Sequence, residues 1–154
     1  MEIRCIDNKT FELLDSSGNL GYIIYDGLLS SKATILVGED NYKIIPLGIL
    51  STSISVTKNG AEISTLEMNW KGNITILFEN GQKFIVKATG SFRDKFVLED
   101  EDQQQILLLN PDFNWITFNY NYSVLYDNKS QDLLLILLAT YAANYYTAAM
   151  ASVL

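Results

Sequence analysis

Ile116, Phe118, Tyr120, Tyr122 and Val124 alternate without a break against Thr117, Asn119, Asn121 and Ser123. A period of two puts successive side chains on opposite faces of a strand, one buried and one wet. The same pattern recurs through most of the chain. Ile74, Ile76 and Phe78 oppose Asn73 and Thr75; Phe84, Val86 and Ala88 oppose Lys83 and Lys87; Ile54 and Val56 oppose Ser53, Ser55 and Thr57. Between Ile63 and the even-numbered Leu66, Met68 and Trp70 the phase slips, which predicts a β-bulge near Ser64 and Thr65.

Turn residues punctuate these runs. Asn59-Gly60 and Asn80-Gly81 are the strongest hairpin signals, because a type I′ turn needs positive φ at both central positions. Ser17-Gly18-Asn19, Asp26-Gly27 and Gly38-Glu39-Asp40-Asn41 mark further turns, and Asn110-Pro111-Asp112 reads as another, since proline is excluded from central strands. The divisions predict about twelve strands, near residues 2–6, 10–15, 20–25, 32–37, 41–46, 53–58, 61–69, 73–79, 82–89, 95–99, 104–109 and 113–125. No linker, repeat or low-complexity tract divides them, so residues 1–154 form one domain, with strands over about 2–126.

After Asp132 the pattern changes. DLLLILLATYAANYYTAAMASVL carries no Lys, Arg, Asp or Glu beyond its first residue, and Leu and Ala replace the alternation. Ser130 or Asp132 can cap a helix, predicted over about 131–152. A helix that is apolar all round is buried on every side, in protein or in lipid. Tyr141, Asn144, Tyr145, Tyr146 and Thr147 place polar atoms in its middle and later half, and no basic residue follows it. A closed sheet of twelve strands is also too wide for strand side chains alone to fill, since about eight strands is where they suffice. These observations predict a closed antiparallel barrel around a buried C-terminal helix. A membrane anchor is the second reading of the helix.

Composition narrows the chemistry. The net charge of −7 opposes long-range attraction to phosphate backbones and anionic lipid, so no nucleic acid is expected and membrane association is not favoured. The chain has no histidine, which removes His-based triads and His metal ligands. Its one cysteine, Cys5, cannot form an internal disulfide and lies in a predicted strand, where it reads as a buried thiol. MEIRCIDNKT is not a signal peptide by pattern, so a cytoplasmic setting is expected. Trp70 and Trp115 sit in strand patterns and read as core or strand-end packing rather than as a stacking platform, which would need a basic groove beside it. No catalytic residue, metal ligand or cofactor motif emerges, and the sequence leaves ligand and oligomeric state open.

The order of elements, carried by FELLDSSGNLGYIIYD and by KFVLEDEDQQQILLLNPDFNWITFNYNYSVLYDNKSQDLLLILLATYAANYY, resembles the tubby C-terminal-like superfamily. That group includes tubby proteins, phospholipid scramblases and LURP-one-related proteins, and the resemblance implies a twelve-stranded barrel wrapped around a central apolar helix. Tubby proteins bind phosphoinositides through a basic pocket. Here Lys83 and Lys87 share a strand face with Arg93 and Lys95 nearby; they read as solvated lysines or as a weak anionic-ligand site. Scramblases carry an acidic calcium segment before the helix. The corresponding place holds Leu125, Tyr126, Asp127 and Asn128, with Asp132 further on, which is too sparse to carry that role. Glu99, Asp100, Glu101 and Asp102 are denser but lack the glycine and spaced ligands of an EF-hand loop; they read as a solvated turn or a weak calcium site. The expected function is non-enzymatic binding or scaffolding. The alternatives are a lipid-binding or scramblase-like protein anchored by its helix, and an enzyme with a carboxylate site.

Overall fold

The computed structural model describes residues 1–48, 52–126 and 132–152. Twelve strands and one helix follow in order: β1 (Glu2–Cys5), β2 (Thr10–Asp15), β3 (Gly18–Tyr25), β4 (Ala33–Val37), β5 (Asp40–Pro46), β6 (Ser53–Lys58), β7 (Ala61–Met68), β8 (Ile74–Phe78), β9 (Lys83–Thr89), β10 (Lys95–Glu99), β11 (Gln105–Asn114), β12 (Asn119–Tyr126) and α1 (Leu133–Ala151). Each strand pairs antiparallel with the next. β1 returns to β12, with Glu2 opposite Ser123 and Ile3 opposite Tyr122, and the sheet closes without an edge.

The alternation sorts inside from outside as the pattern predicts. Ile3 and Cys5, Phe11 and Leu13, Ile44, Ile74 and Ile76, Leu107 and Leu109 all point inward and are buried. The phase slip in β7 is a bulge: Val56 pairs with Ser64 and Thr57 with Glu62, leaving Ile63 as the extra residue.

The barrel holds α1. Asp132 caps it, its Oδ1 accepting from the Leu135 N–H at 3.0 Å. Nine consecutive residues, Leu135 to Ala143, are buried. At 100° per residue, nine residues cover every direction around the axis, so this length is enclosed on all sides. By length and composition α1 would suffice to cross a membrane, and 56% of that span is buried inside the protein. The later polar residues find partners inside. Tyr122 donates its hydroxyl proton to Asn144 Oδ1 at 2.7 Å, and Asn144 Nδ2 donates to the Tyr25 hydroxyl at 3.2 Å. Tyr141 donates to the Ser31 carbonyl at 2.8 Å.

α1 leans closest on β3. A Cβ placed on Gly21 would stand 2.7 Å from the Leu36 carbonyl oxygen and 3.0 Å from Leu137 Cδ1. Glycine is required there by close approach, the backbone of β4 on one side and the helix on the other.

Two expectations near the end of the sheet are corrected. Residues 113–125 are not one strand. Asn114 Oδ1 accepts from the Ile116 and Thr117 N–H groups and starts a turn over residues 115–118. Tyr122 and Val124 face inward as expected, whereas Ile116 and Phe118 are exposed. Asn110-Pro111-Asp112 is not a turn but part of β11, with Pro111 opposite Tyr122. The β10 ladder ends at Leu109. Beyond it β11 has a neighbour on one side only, where a missing N–H is tolerated. The Asn80-Gly81 turn is where it was predicted but has another geometry. Gly81 alone has positive φ, and Asn80 Oδ1 accepts from the Gln82 N–H instead.

Candidate binding rim

An up-and-down barrel has two unlike ends. The loops that leave odd-numbered strands all lie at one end, here called the rim; those that leave even-numbered strands lie at the other, the foot. α1 starts at the foot and finishes at the rim, where Met150 and Phe92 line one cavity.

The exposed apolar side chains are not shared evenly. Ile6, Leu28, Leu29, Leu47, Trp70, Phe92, Trp115, Ile116, Phe118 and Met150 are all exposed, and all belong to the rim loops or the rim end of α1. Only Ile45, Leu77 and Leu125, on strands, complete the set of large exposed apolar residues among the described residues. Both tryptophans are here, Trp70 89% and Trp115 76% exposed, which corrects their reading as packed strand residues.

The local geometry fixes several of these groups in place. Asn69 Oδ1 accepts from the Lys71 and Asn73 N–H groups, and the loop between them lifts Trp70 outward with Lys71 Nζ 5.3 Å from its ring centre. The β11–β12 turn carries an aromatic cluster in which Phe113 meets Trp115 at 4.8 Å, Tyr120 at 5.2 Å and Phe118 at 6.5 Å, all edge-on. Side-chain amides tie this turn to β1: Cys5 N–H donates to Asn121 Oδ1 at 2.8 Å and Asn119 Nδ2 to the Asn8 carbonyl at 3.3 Å. Phe118 has φ of 53°. A bulky residue in the left-handed region is strained, and glycine or asparagine is the usual choice there.

Beneath the Leu28–Leu29 loop lies a cleft of about 200 Å³, walled by Phe11, Tyr25, Tyr141, Asn144 and Tyr145. Tyr25 stacks on Tyr141 at 5.9 Å and Tyr141 on Tyr145 at 6.2 Å. Burial pushes Tyr25, Tyr122 and Tyr141 well above the ordinary tyrosine range. Burial likewise raises Cys5, whose Sγ–H donates to the Asp7 carbonyl at 2.8 Å. These groups are therefore protonated at neutral pH, and the thiol is poorly suited to nucleophilic attack.

The charged candidates are spread out. Lys83 starts β9 at the foot, beside a cavity of about 380 Å³ walled also by Asp100, Glu101, Asp102 and Asp132. Lys87 stands on the outer wall and pairs with Glu99 at 2.6 Å. Arg93 and Lys95 lie toward the rim. Four residues along β9 alone separate Lys83 from Lys87, about 13 Å, so the four cations do not form one pocket. Asp100 Oδ1 accepts from the Asp102 and Gln104 N–H groups, which is turn chemistry. Among the described residues no three carboxylate or thiol groups converge as a metal site. Asp127, Asn128 and Ser130 lie outside the described residues.

The rim residues carried a signal in the sequence that periodicity does not weigh. Gly27-Leu28-Leu29-Ser30, Asn69-Trp70-Lys71-Gly72 and Ser91-Phe92-Arg93-Asp94 each put a large apolar residue inside turn chemistry. Such a residue has no strand face on which to be buried.

No family model matches this chain, and no curated protein or solved structure matches it either.

Proposed function

We propose that this protein is a non-enzymatic binding domain of the tubby C-terminal-like type, cytoplasmic in setting, and that its working surface is the rim. The carrying observation is the gathering of exposed apolar side chains on the loops of one end. Single exposed apolar residues are ordinary, but a collection at one end of a molecule marks an interaction site. A closed twelve-stranded wall with a C-terminal helix is the architecture that the resemblance implies. The strained backbone at Phe118, which holds an aromatic ring outward where glycine would be easier, supports the functional reading.

Anilinonaphthalene sulfonate tests it, as a probe that brightens on exposed apolar surface. The folded wild type should enhance its emission, and Trp70→Ser with Phe92→Ser should reduce that enhancement without altering the unfolding midpoint. An enhancement unchanged by rim substitutions would remove the rim as the binding surface.

A further inference from the structure

We infer that the cleft beneath the Leu28–Leu29 loop binds a neutral, flat molecule of one or two aromatic rings that carries a hydrogen-bond acceptor on its inner edge. This rests on the rim being the binding surface, because the cleft opens there, and it names the class of ligand.

Size and charge set the first limits. The cleft of about 200 Å³ lies between the β3–β4 loop and the rim half of α1. A cavity of about 150 Å³ suffices to hold benzene, so one ring fits and a second can follow. No Asp, Glu, Lys or Arg lines it. An ion entering would give up its water and meet no partner. The cavities around Phe92 and Trp70 differ in this respect, the first holding Arg93 and Asp94 and the second Lys71 and Arg93.

The walls select a flat shape. Tyr25, Tyr141 and Tyr145 stack in sequence, with interplanar angles of 17° and 26°. Phe11 stands edge-on to Tyr25 at 5.9 Å. Nearly parallel rings along one wall favour another ring laid offset against them. Leu28 and Leu29, exposed on the loop above, line the same cleft, and a ligand beneath them gives that apolar surface a contact.

Unspent hydrogen-bonding capacity at the floor supplies the polarity. Asn144 Oδ1 accepts from Tyr122, and one of its two Nδ2 protons goes to the Tyr25 oxygen. The second Nδ2 proton and the Tyr25 hydroxyl proton have no acceptor among the described residues. Both side chains line the cleft. They stand 3.2 Å apart, so one carbonyl oxygen or ring nitrogen can serve both. A ring without an acceptor leaves two donors unpaired and is disfavoured for that reason.

Three probes of similar size test the assignment by titration calorimetry on the full chain. Coumarin is neutral and carries a carbonyl acceptor; naphthalene is neutral without one; coumarin-3-carboxylate is charged. Coumarin should bind at one site. Naphthalene should bind about tenfold more weakly, roughly what one hydrogen bond contributes, and the carboxylate should not bind. Tyr25→Phe should erase most of the advantage of coumarin over naphthalene. Ala148→Trp, from an exposed position on α1, should fill the cleft and abolish coumarin binding without moving the unfolding midpoint. Leu77→Ser, on the outer wall, should leave binding unchanged. Absence of coumarin binding at millimolar concentration overturns the inference. Equal affinity for coumarin and naphthalene overturns it too, as does coumarin binding that survives Ala148→Trp. The sulfonate probe then decides the broader reading: if it still responds to Trp70→Ser with Phe92→Ser, the rim remains the binding surface without this ligand, and if it does not, both readings fall.

Discussion

Asn144→Ala tests the placement of α1 through a single side chain. Asn144 joins two strands from inside the barrel, accepting from the Tyr122 hydroxyl on β12 and donating to the Tyr25 hydroxyl on β3. Tyr122 is 1% exposed, so its hydroxyl has no solvent to turn to. Leaving a buried polar group unsatisfied costs about 1–3 kcal/mol. Two hydroxyls lose their partner, and alanine returns about 0.5 kcal/mol in helix propensity. The expected loss is therefore about 2–4 kcal/mol. Removing one orphan hydroxyl as well should recover part of it, so Tyr122→Phe with Asn144→Ala should cost at least about 1 kcal/mol less than the two single changes added together.

The assay is urea unfolding of the four proteins of this cycle, followed by far-ultraviolet circular dichroism. The slope with urea should be the same in all four, showing that only native stability has moved. Additivity within about 0.5 kcal/mol would mean that the two side chains do not share a bond. The face of α1 turned toward β12 and β3 would then be wrong. An Asn144→Ala loss under about 0.5 kcal/mol would place Asn144 in water and refute its seat between β12 and β3.

Gly21→Ala should destabilise by about 1–3 kcal/mol through overpacking, because the added carbon meets the Leu36 carbonyl, fixed in the β3–β4 ladder, as well as the yielding Leu137; equal unfolding midpoints would mean α1 does not press on β3. Raised tyrosine values give an alkaline limit: Tyr25 and Tyr122 hold their protons above the ordinary 10.0, so the unfolded chain ionises first. The stability they contribute is complete below that pH and is lost as pH rises toward the folded-state values; Tyr122→Phe should flatten the decline, and an identical pH profile would show Tyr122 to be solvated. Phe118→Gly should relieve about 1–2 kcal/mol of left-handed strain against about 0.5 kcal/mol of lost contact with Phe113, raising the thermal midpoint by a few degrees while lowering the enhancement of the sulfonate probe. A variant that loses both stability and binding would show that Phe118 is a structural residue instead.

The wall of the barrel was legible because period-two alternation is a direct record of one buried face. Thr10–Asp15 and Ser53–Lys58 fall on the predicted bounds, and Ile74 and Ile76 face inward as read. The helix was legible for a different reason: its apolar residues have no periodicity, and only an enclosed helix can use that. The failures share one cause. Residues 116–124 alternate without a break, yet Asn114 bonds the backbone two residues on and breaks the strand. Pro111 looks like a turn residue, yet where β10 stops its missing N–H has no cost. Alternation and propensity are local, whereas the end of a neighbouring strand is not written in the segment beside it. The rim was missed similarly. Trp70, Phe92 and Trp115 are spaced about twenty residues apart, and only the up-and-down topology brings their loops to one end.

Tryptophan emission of the native protein tests the rim most directly, since the chain has only Trp70 and Trp115 and both stand in its loops. In buffer alone the native spectrum should resemble that of free indole in water, acrylamide should quench it nearly as well before unfolding as after, and urea should move the maximum little. A native spectrum shifted to the blue, shielded from acrylamide and moving to the red on unfolding would put the tryptophans inside the barrel and contradict an exposed aromatic rim.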